Sequence, residues 1–400
     1  MQYHHSLANH IGLTLICFFA YAIMSGLLSQ IGVLSEPMAA AYGQSVVDSA
    51  TRFSYLGSGI LIGSVSSLLI YERLTLKQGL IGCHLLVAIA LTTIFFTENW
   101  DWLPLPMFVA GAAASLGVNT AAIVLALIYS PARRPQALLT TDITFAVAGI
   151  VATPAAVMLI AANAPWSSSY LIIGLIAGAL IPVILMLRFP QTLKEATSGD
   201  DAGWRWPMAA YLCGLVLFFY LLGQMSMSVW LPNYIQHNLG GTLVDGGSAI
   251  SRFWTGMALG QLVLVLALAR IPDKPLLIGC AVMTAVLSSL IWLGTSVDSV
   301  VNLSLVLGLC ASGVLKLTLS FASTLVEHPQ RLVASMLVCA SAGSASAPWV
   351  SSQIVAVTNT HSALIFMTIC FTLTALLVIA SISLNQRAKH AASSLQQETR

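Results

Sequence analysis

Apolar stretches of about twenty residues recur from one end of this 400-residue chain to the other. A helix of about twenty residues crosses the roughly 30 Å hydrocarbon core of a bilayer, so each stretch is a candidate membrane span. Only 8% of the residues are charged, whereas soluble domains average about a quarter. The stretches also lack the alternation that is typical of barrel strands. Because backbone groups in lipid must pair within their own segment, the sequence predicts an all-α membrane protein.

Glycine, proline and charged residues divide the apolar sequence into twelve predicted spans. The first six cover residues 11–34, 51–70, 76–96, 103–129, 137–161 and 170–187. The second six cover 208–234, 249–268, 276–293, 301–325, 333–355 and 363–384. A polar stretch separates the two sets. We therefore predict a six-helix bundle over residues 1–187, a cytoplasmic linker over 188–205, a second bundle over 206–384 and a cytoplasmic tail over 385–400.

The 16 lysines and arginines are distributed unevenly between the two sides of these spans. With both termini in the cytoplasm, thirteen lie inside, Arg52 and Arg252 lie outside, and Lys316 lies within a span. Basic residues concentrate in cytoplasmic loops, so this orientation is predicted and the inverted one is rejected. The first ten residues contain no lysine or arginine and precede a long apolar run, which favours a retained first helix over a signal peptide. We expect a multi-pass protein of the inner membrane.

Internal repeats relate the two predicted bundles. Residues 77–83 open the third span and residues 274–280 open the ninth, and both contain Leu-Ile-Gly-Cys at the same place. Ala-Gly followed by proline recurs in the fifth and eleventh spans, and Arg-Phe recurs at the start of the second and eighth. Three matches in the correct order predict parallel, pseudo-symmetric halves. From these repeats we predict gating or packing roles for Gly149, Pro154, Gly343, Pro348, Arg52 and Arg252.

Several motifs resemble those of a known transporter family. They are Phe-Phe-Ala-Tyr-Ala at 18–22, residues 55–62, the loop 71–77, Leu-Leu-Thr-Thr-Asp at 138–142, and Trp-Leu-Pro-x-Tyr at 230–234. Phe253 and Trp254, followed by Gly256 and Gly260, belong to the same set. Together they are similar to the TsgA-like branch of the fucose permease family, within the major facilitator superfamily. The resemblance implies a twelve-helix fold of two six-helix bundles and secondary transport of a sugar-like solute.

The chain departs from this family at the positions expected to carry protons. The resemblance implies acidic residues on the first and fourth helices, but the matching fourth-helix position is Asn119, and the first helix offers Ser25, Ser29 and Gln30 instead. We predict that these four residues line a substrate cavity. For helix seven, the resemblance implies that Tyr220 and Gln224 line the cavity as well. Trp230 and Tyr234 lie near the predicted outer boundary, and we favour interfacial anchoring for Tyr234.

Two ionisable residues lie within predicted spans, where an unpaired charge costs several kcal/mol. Asp142, near the start of the fifth span, is predicted either to handle protons or substrate or to act as a local structural partner. Lys316 is the repeat counterpart of Asn119 and is predicted to face the cavity, with a structural pair between helices as the alternative. Its partner is predicted to be Asp142 or a bound anion.

The sequence predicts no cofactor and no metal site. Seven cysteines occur singly in apolar runs, without the spacing of a disulfide framework or a metal site. A net charge of +2 does not indicate a nucleic-acid partner. The expected partners are a small-molecule substrate, protons where transport is coupled to them, and the lipid bilayer, and the expected state is a monomer.

The leading functional prediction is therefore a secondary active transporter of a small polar solute, sugar-like or a small organic anion, and not an enzyme. It would work by alternating access, and proton coupling is left open. A membrane-embedded enzyme or a non-transporting sensor is the alternative, and would need a catalytic cluster or a sizeable soluble module. A channel is a third option, which accumulation against a gradient would separate from a transporter.

Overall fold

The computed structural model describes residues 7–70, 74–130, 133–190, 206–326 and 329–398. Most of the predicted linker, residues 191–205, lies outside this part of the chain. Within the first predicted bundle, the helices are α1 (Leu7–Ser29), α2 (Ile31–Tyr42), α3 (Val46–Ile70), α4 (Leu76–Phe96), α5 (Pro104–Ile128), α6 (Arg134–Ala161) and α7 (Ser168–Met186). Within the second they are α8 (Met208–Asn238), α9 (Leu243–Leu268), α10 (Asp273–Leu293), α11 (Val297–Ser323), α12 (Pro329–Val357) and α13 (Thr360–Glu398).

Of the described helices, 11 are long and apolar enough to cross a membrane. They are α1 and α4 to α13. The 25-residue α3, which carries Asp48 and Arg52 near its start, lies between two of them. With α1 and α2 taken as one interrupted span and α3 as another, the described chain has the predicted twelve-helix, all-α fold.

The helix starts follow ordinary capping chemistry: Thr75 and Gln78 form a capping box before α4, and Thr242 and Asp245 form one before α9.

The structure adds detail at the two ends of the chain. The first span is interrupted at Gln30, whose side-chain amide donates a hydrogen bond to the carbonyl of Gly26 at 2.6 Å. The Gln30 side chain occupies a carbonyl that would otherwise accept a backbone hydrogen bond, so the series of helical hydrogen bonds is interrupted here. The chain then continues as α2 to Tyr42. Within the predicted tail at 385–400, α13 continues as helix from the last span to Glu398.

The two bundles are packed in the same way. In the first bundle α3 packs on α5, α4 on α5 and α7, and α1 on α6; in the second, α9 packs on α11, α10 on α11 and α13, and α8 on α12. Between the bundles, the main contacts join α3 to α12 and α6 to α9. Each element has its repeat counterpart in the equivalent place, so the predicted pseudo-symmetry is present in the fold.

Closely packed glycines mark the same symmetry at atomic detail. A Cβ at Gly111 of α5 would lie 2.0 Å from the carbonyl oxygen of Leu56 on α3, and a Cβ at Gly308 of α11 would lie 2.0 Å from that of Phe253 on α9. Small residues of this kind let the backbones of membrane helices approach closely. Two further glycines in each bundle, Gly59 and Gly63 in the first and Gly256 and Gly260 in the second, pack in the same way at the same repeat offset.

Candidate functional site

The two ends of the molecule differ in how the bundles meet. We call the end where α1, α4, α6 and α10 begin the basic side, and the other end the opposite side. On the opposite side, one apolar core contains residues of both bundles, including Leu34 and Val229. Near the basic side the first bundle has separate cores, for example around Leu13 and Leu125, whose described members all belong to α1, α4, α5, α7 and neighbouring loop residues. Among the described residues, apolar packing between the bundles is therefore continuous on the opposite side and interrupted on the basic side, which we call the open side.

Close helix contacts hold the opposite half and the middle of the molecule together. A Cβ at Gly32 of α2 would lie 2.2 Å from the carbonyl oxygen of Ser228 on α8. A Cβ at Gly57 of α3 would lie 2.7 Å from the Cα atom of Ala345 on α12. These glycines allow the bundles to touch backbone to backbone, so a larger side chain there is incompatible with this arrangement.

A third close contact uses an aromatic ring. A Cβ at Gly149 of α6 would lie 2.8 Å from Cγ of Trp254 on α9, and the Trp254 ring is also 5.4 Å from that of Phe145, centroid to centroid. Ser251, one turn earlier on α9, donates a hydrogen bond to the carbonyl of Ile150 at 3.1 Å. Together these contacts join α6 to α9 across the middle of the molecule.

At the rim of the opposite side, Glu36 and His237 contact each other across the bundles. The imidazole Nε2 of His237, near the end of α8, lies 3.3 Å from a carboxylate oxygen of Glu36 on α2. Both side chains are partly exposed. Exposed pairs of this kind contribute at most about 1 kcal/mol, so we assign this contact a secondary place in closure.

On the basic side, the bundles are linked by Asp142 and Lys316. The ammonium Nζ of Lys316 on α11 lies 2.6 Å from a carboxylate oxygen of Asp142 on α6. Each residue lies about two turns inside the basic end of its helix. The side chains are 43% and 20% exposed, respectively, so the lysine is the more accessible partner. The structure thus brings together the two residues that were predicted to carry charge within the spans.

The surroundings of Asp142 are polar on one face. The phenol of Tyr21 on α1 hydrogen bonds with the side chain of Thr141, and Asp142 is near enough to act on it electrostatically. Tyr21 was not among the predicted site residues, although it lies in the aromatic motif at 18–22 that carries the family resemblance. The pair is therefore built from α1, α6 and α11.

Asn119, the repeat counterpart of Lys316, has a different partner. Its amide nitrogen donates a hydrogen bond to the hydroxyl of Ser67 on α3, at 3.1 Å and within the first bundle. Lys316, by contrast, reaches across to the first bundle. The symmetric positions thus hold a local hydrogen bond in one half and a cross-bundle ion pair in the other.

The predicted cavity residues of the first helix, Ser25, Ser29 and Gln30, are buried near the centre of the molecule. Ser25 donates a hydrogen bond to the carbonyl of Phe145 at 2.6 Å, which ties α1 to α6. Within the described part of the chain, the Ser29 hydroxyl and the Gln30 side-chain carbonyl are buried without a hydrogen-bond partner, as is the Trp254 indole N–H. An unpaired buried polar group costs about 1–3 kcal/mol, so such groups call for a partner in another state or a bound solute.

The aromatic residues of α8 lie in the core rather than at a surface. Tyr220 is 1% exposed and donates a hydrogen bond to the carbonyl of Ala311, and Gln224 is buried as well. The predicted interfacial anchoring of Tyr234 is wrong, because Tyr234 is buried in this structure, as is Trp230. Trp230 donates to the Ser351 hydroxyl, and Tyr234 donates to the carbonyl of Trp292. The sequence of an apolar helix face does not show whether that face contacts lipid or a neighbouring helix.

The repeat-related residues divide between the two kinds of contact. Gly149 faces the other bundle, whereas a Cβ at Gly343 would lie 2.2 Å from the carbonyl oxygen of Phe218 in its own bundle. Pro154 and Pro348 lie inside α6 and α12, where each removes one backbone donor. The two arginines stay within their bundles: Arg52 contacts Asp101 at 3.4 Å and the Trp100 ring, and Arg252 donates to Asn302.

Comparison with known sequences assigns the fold to a family. A sequence model described as the Major Facilitator Superfamily matches residues 213–400. A TsgA homolog from Erwinia tasmaniensis is 28% identical over 360 residues, which cover 89% of this chain and 91% of the relative. A TsgA homolog from Edwardsiella ictaluri is 27% identical, with the same coverage. This chain is similar in sequence to the major facilitator superfamily and to the TsgA homologs.

Solved structures of membrane transporters share the fold. The E. coli fucose:proton symporter FucP is 17% identical, with a TM-score of 0.63, and the match covers 93% of this chain and 98% of the symporter. The nucleoside transporter NupG is 15% identical, with a TM-score of 0.69, over 94% of this chain and 99% of the transporter. The predicted TsgA-like resemblance and the predicted facilitator fold are both confirmed.

Two contacts between the bundles were not predicted as site features. The Glu36–His237 contact joins residues 201 positions apart. Trp254 had been noted only as part of a family motif, although its position beside Gly149 makes it the aromatic contact between the bundles. Trp254 occupies the repeat position of Gly57. This large side chain in place of a glycine is the one signal in the sequence that pointed to the contact.

Proposed function

We propose that this facilitator is a secondary active transporter that moves a small polar solute, sugar-like or a small organic anion, across the inner membrane. In the part of the chain that the structure describes, the two bundles share a core on the opposite side, and an ion pair joins them on the basic side. Bundles that are joined at one end and separated at the other are what alternating access requires, because rocking one against the other exposes a central site to each side in turn.

The observation that carries this proposal is the cross-bundle pair of Asp142 and Lys316. A charged pair at this depth has a desolvation cost, and structural packing of two apolar helices does not need it. Placed in the opening between the bundles, the pair can respond both to the solute and to the relative position of the bundles. Where transport is coupled to protons, we propose that Asp142 is the carrier.

The arrangement of the chain in the membrane is part of the same proposal. We propose that the basic side is cytoplasmic, with both termini there, because basic residues concentrate in cytoplasmic loops. The first bundle is proposed to end near residue 187 and the second to begin near 206. Facilitators with two bundles form a complete transport path in one chain, so the working unit is proposed to be a monomer.

Uptake by reconstituted vesicles tests the function. The purified protein in liposomes, with a pH gradient imposed, is offered labelled sugars and labelled small organic anions at equal concentration. Accumulation of one class above the external concentration supports a coupled transporter. Equilibration without accumulation indicates facilitated diffusion or a channel, and no uptake above protein-free vesicles for either class counts against transport of these solutes.

A variant separates coupling from translocation. Asp142→Asn is expected to abolish accumulation driven by the pH gradient but to keep exchange of labelled for unlabelled solute, because exchange needs no net proton release. Unchanged pH-driven accumulation in Asp142→Asn would remove this residue from the coupling mechanism.

A further inference from the structure

We propose that the solute is a small carboxylate monoanion, which binds Lys316 by displacing Asp142, and that Asp142 then takes up a proton. This inference rests on the proposed transport function and specifies its substrate class. It makes transport electroneutral, since one negative solute charge enters with one proton.

The first argument is the accessibility of the two charges. Lys316 is 43% exposed, and Asp142 is 20% exposed. Both lie about two turns inside the basic end of their helices, and the ammonium group is the one more accessible to a solute. The carboxylate lies behind it, next to Thr141 and Tyr21. A site that presents a cation and shields the anion favours a negatively charged solute.

The second argument is the exchange of partners. A neutral solute has no charge with which to replace the carboxylate on Lys316, so the ion pair persists and Asp142 has no reason to bind a proton. A solute carboxylate supplies the same chemical group as Asp142 and can take its place at about the same distance. Once displaced, Asp142 is a partly buried carboxylate without a cation, and protonation by water removes that charge.

The third argument is the absence of another charge near Asp142 in the described part of the chain. Helices α5 and α7, which pack on α6, contain no charged residue. On α2 and α9 the charged groups lie toward the opposite side, where they have local contacts: Glu36 with His237, Asp245 with Thr242, and Arg252 with Asn302. The titratable groups that face Asp142 are therefore Lys316 and the phenol of Tyr21, with Cys17 close to that phenol on α1.

No covalent step is needed. One O–H bond forms on the Asp142 carboxylate as one O–H bond of a hydronium ion breaks and leaves neutral water, and the solute carboxylate accepts hydrogen bonds from the Lys316 ammonium. On release, the solute leaves, the proton returns to water, and the ion pair re-forms. The affinity for carboxylate and the affinity for protons must then be linked, each raising the other.

Binding to the purified full chain in detergent tests the linkage. The probes are charge-matched pairs of small solutes, namely lactate with 1,2-propanediol, glycerate with glycerol, and glucuronate with glucose. Thermal stabilisation and Kd are measured from pH 6 to 8. At least one carboxylate is expected to bind at least about tenfold more tightly than its neutral partner, and to gain up to about tenfold in affinity per unit fall in pH, as for uptake of one proton.

Variants assign the two roles. Lys316→Gln is expected to lose carboxylate binding, Lys316→Arg to retain it, and Asp142→Asn to retain binding with no dependence on pH. Lys274→Gln, a lysine at the start of α10 whose ammonium lies over the Phe321 ring, is the control and should bind as the unmodified chain does. Retained binding by Lys316→Arg shows that any loss in Lys316→Gln is not misfolding.

Three results would overturn the inference. They are equal binding of a carboxylate and its neutral partner, failure of every carboxylate in the series to bind, and carboxylate binding by Lys316→Gln. If a neutral solute binds and is accumulated in vesicles, the transporter proposal stands and the anion site falls. Carboxylate binding without uptake in vesicles would instead count against transport while leaving the site in place.

Discussion

At the scale of single residues, the Lys316–Asp142 contact shows how a membrane protein retains charge at depth. Either charge alone would lie about two turns inside a helix without a counter-ion, whereas the 2.6 Å contact satisfies both. Because the pair is partly exposed, its net contribution to stability is small, and its main effect is to make loss of one partner worse than loss of both.

This effect can be measured as a coupling free energy. Lys316→Gln and Asp142→Asn are each expected to lower the free energy of unfolding, and the double variant is expected to recover about 1 kcal/mol relative to the sum of the single changes. Thermal unfolding of the three variants and the unmodified chain, in the same detergent and without solute, gives the value. Strictly additive losses would show that the contact contributes nothing to folding, whatever its part in transport.

Sequence reasoning reached both members of this pair but could not choose between Asp142 and a bound anion as the partner of Lys316. The free-energy cost of a buried charge depends on the composition of its own span and on its depth there. The sequence therefore identifies a residue whose charge needs a partner. The distance between α6 and α11 depends instead on how the bundles are tilted. The Glu36–His237 contact was missed for the same reason, because it exists only while the opposite side is closed.

At the scale of helices, the contact of α6 with α9 should control which side is open. A Cβ at Gly149 would lie 2.8 Å from Cγ of Trp254, and this contact belongs to the state that is closed on the opposite side. Gly149→Ala is therefore expected to destabilise that state by about 1–3 kcal/mol, the usual cost of overpacking. The equilibrium then shifts toward opening on the opposite side by about fivefold to a hundredfold.

Labelling of a cysteine placed at Ser251 reports this shift, since the Ser251 hydroxyl now contacts α6 across the bundle interface. A membrane-impermeant maleimide should react faster with Ser251→Cys when Gly149→Ala is added. Gly82→Ala on α4 is the matched control, because a Cβ there meets nothing within 4 Å. Equal labelling rates in the Gly149→Ala and Gly82→Ala backgrounds would show that this contact does not set the equilibrium.

The helices themselves were largely predictable, and the exceptions have local causes. Length and hydropathy predicted the twelve spans, because a membrane span is specified mainly by its own composition. The interruption at Gln30 depends on one side-chain hydrogen bond to Gly26, which hydropathy does not detect. The extension of α13 to Glu398 is polar, so hydropathy identifies only the apolar part of this helix as a span.

At the scale of the whole molecule, the open side must be assigned to a compartment before the transport direction has meaning. The basic side carries the starts of α6 and α10, with Arg134 and Asp273, and the opposite side carries the connections near Trp100 and Thr242. The excess of lysine and arginine on the basic side predicts that it faces the cytoplasm. The structure would then be the inward-open state, and the Lys316–Asp142 pair would be reached from the cell interior.

Reporter fusions test this orientation independently of transport. Alkaline phosphatase is active only after export, so fusions after Trp100 or Thr242 should be active, and fusions after Arg134 or Asp273 should be inactive. Fusing a cytoplasmically active reporter at the same four positions should give the reverse pattern, which controls for expression. Phosphatase activity after Arg134 would place the basic side outside, and the proton taken up by Asp142 in this state would then come from the exterior. The carboxylate site would remain, but the conformation seen here would be the one that loads solute from outside rather than the one that releases it within.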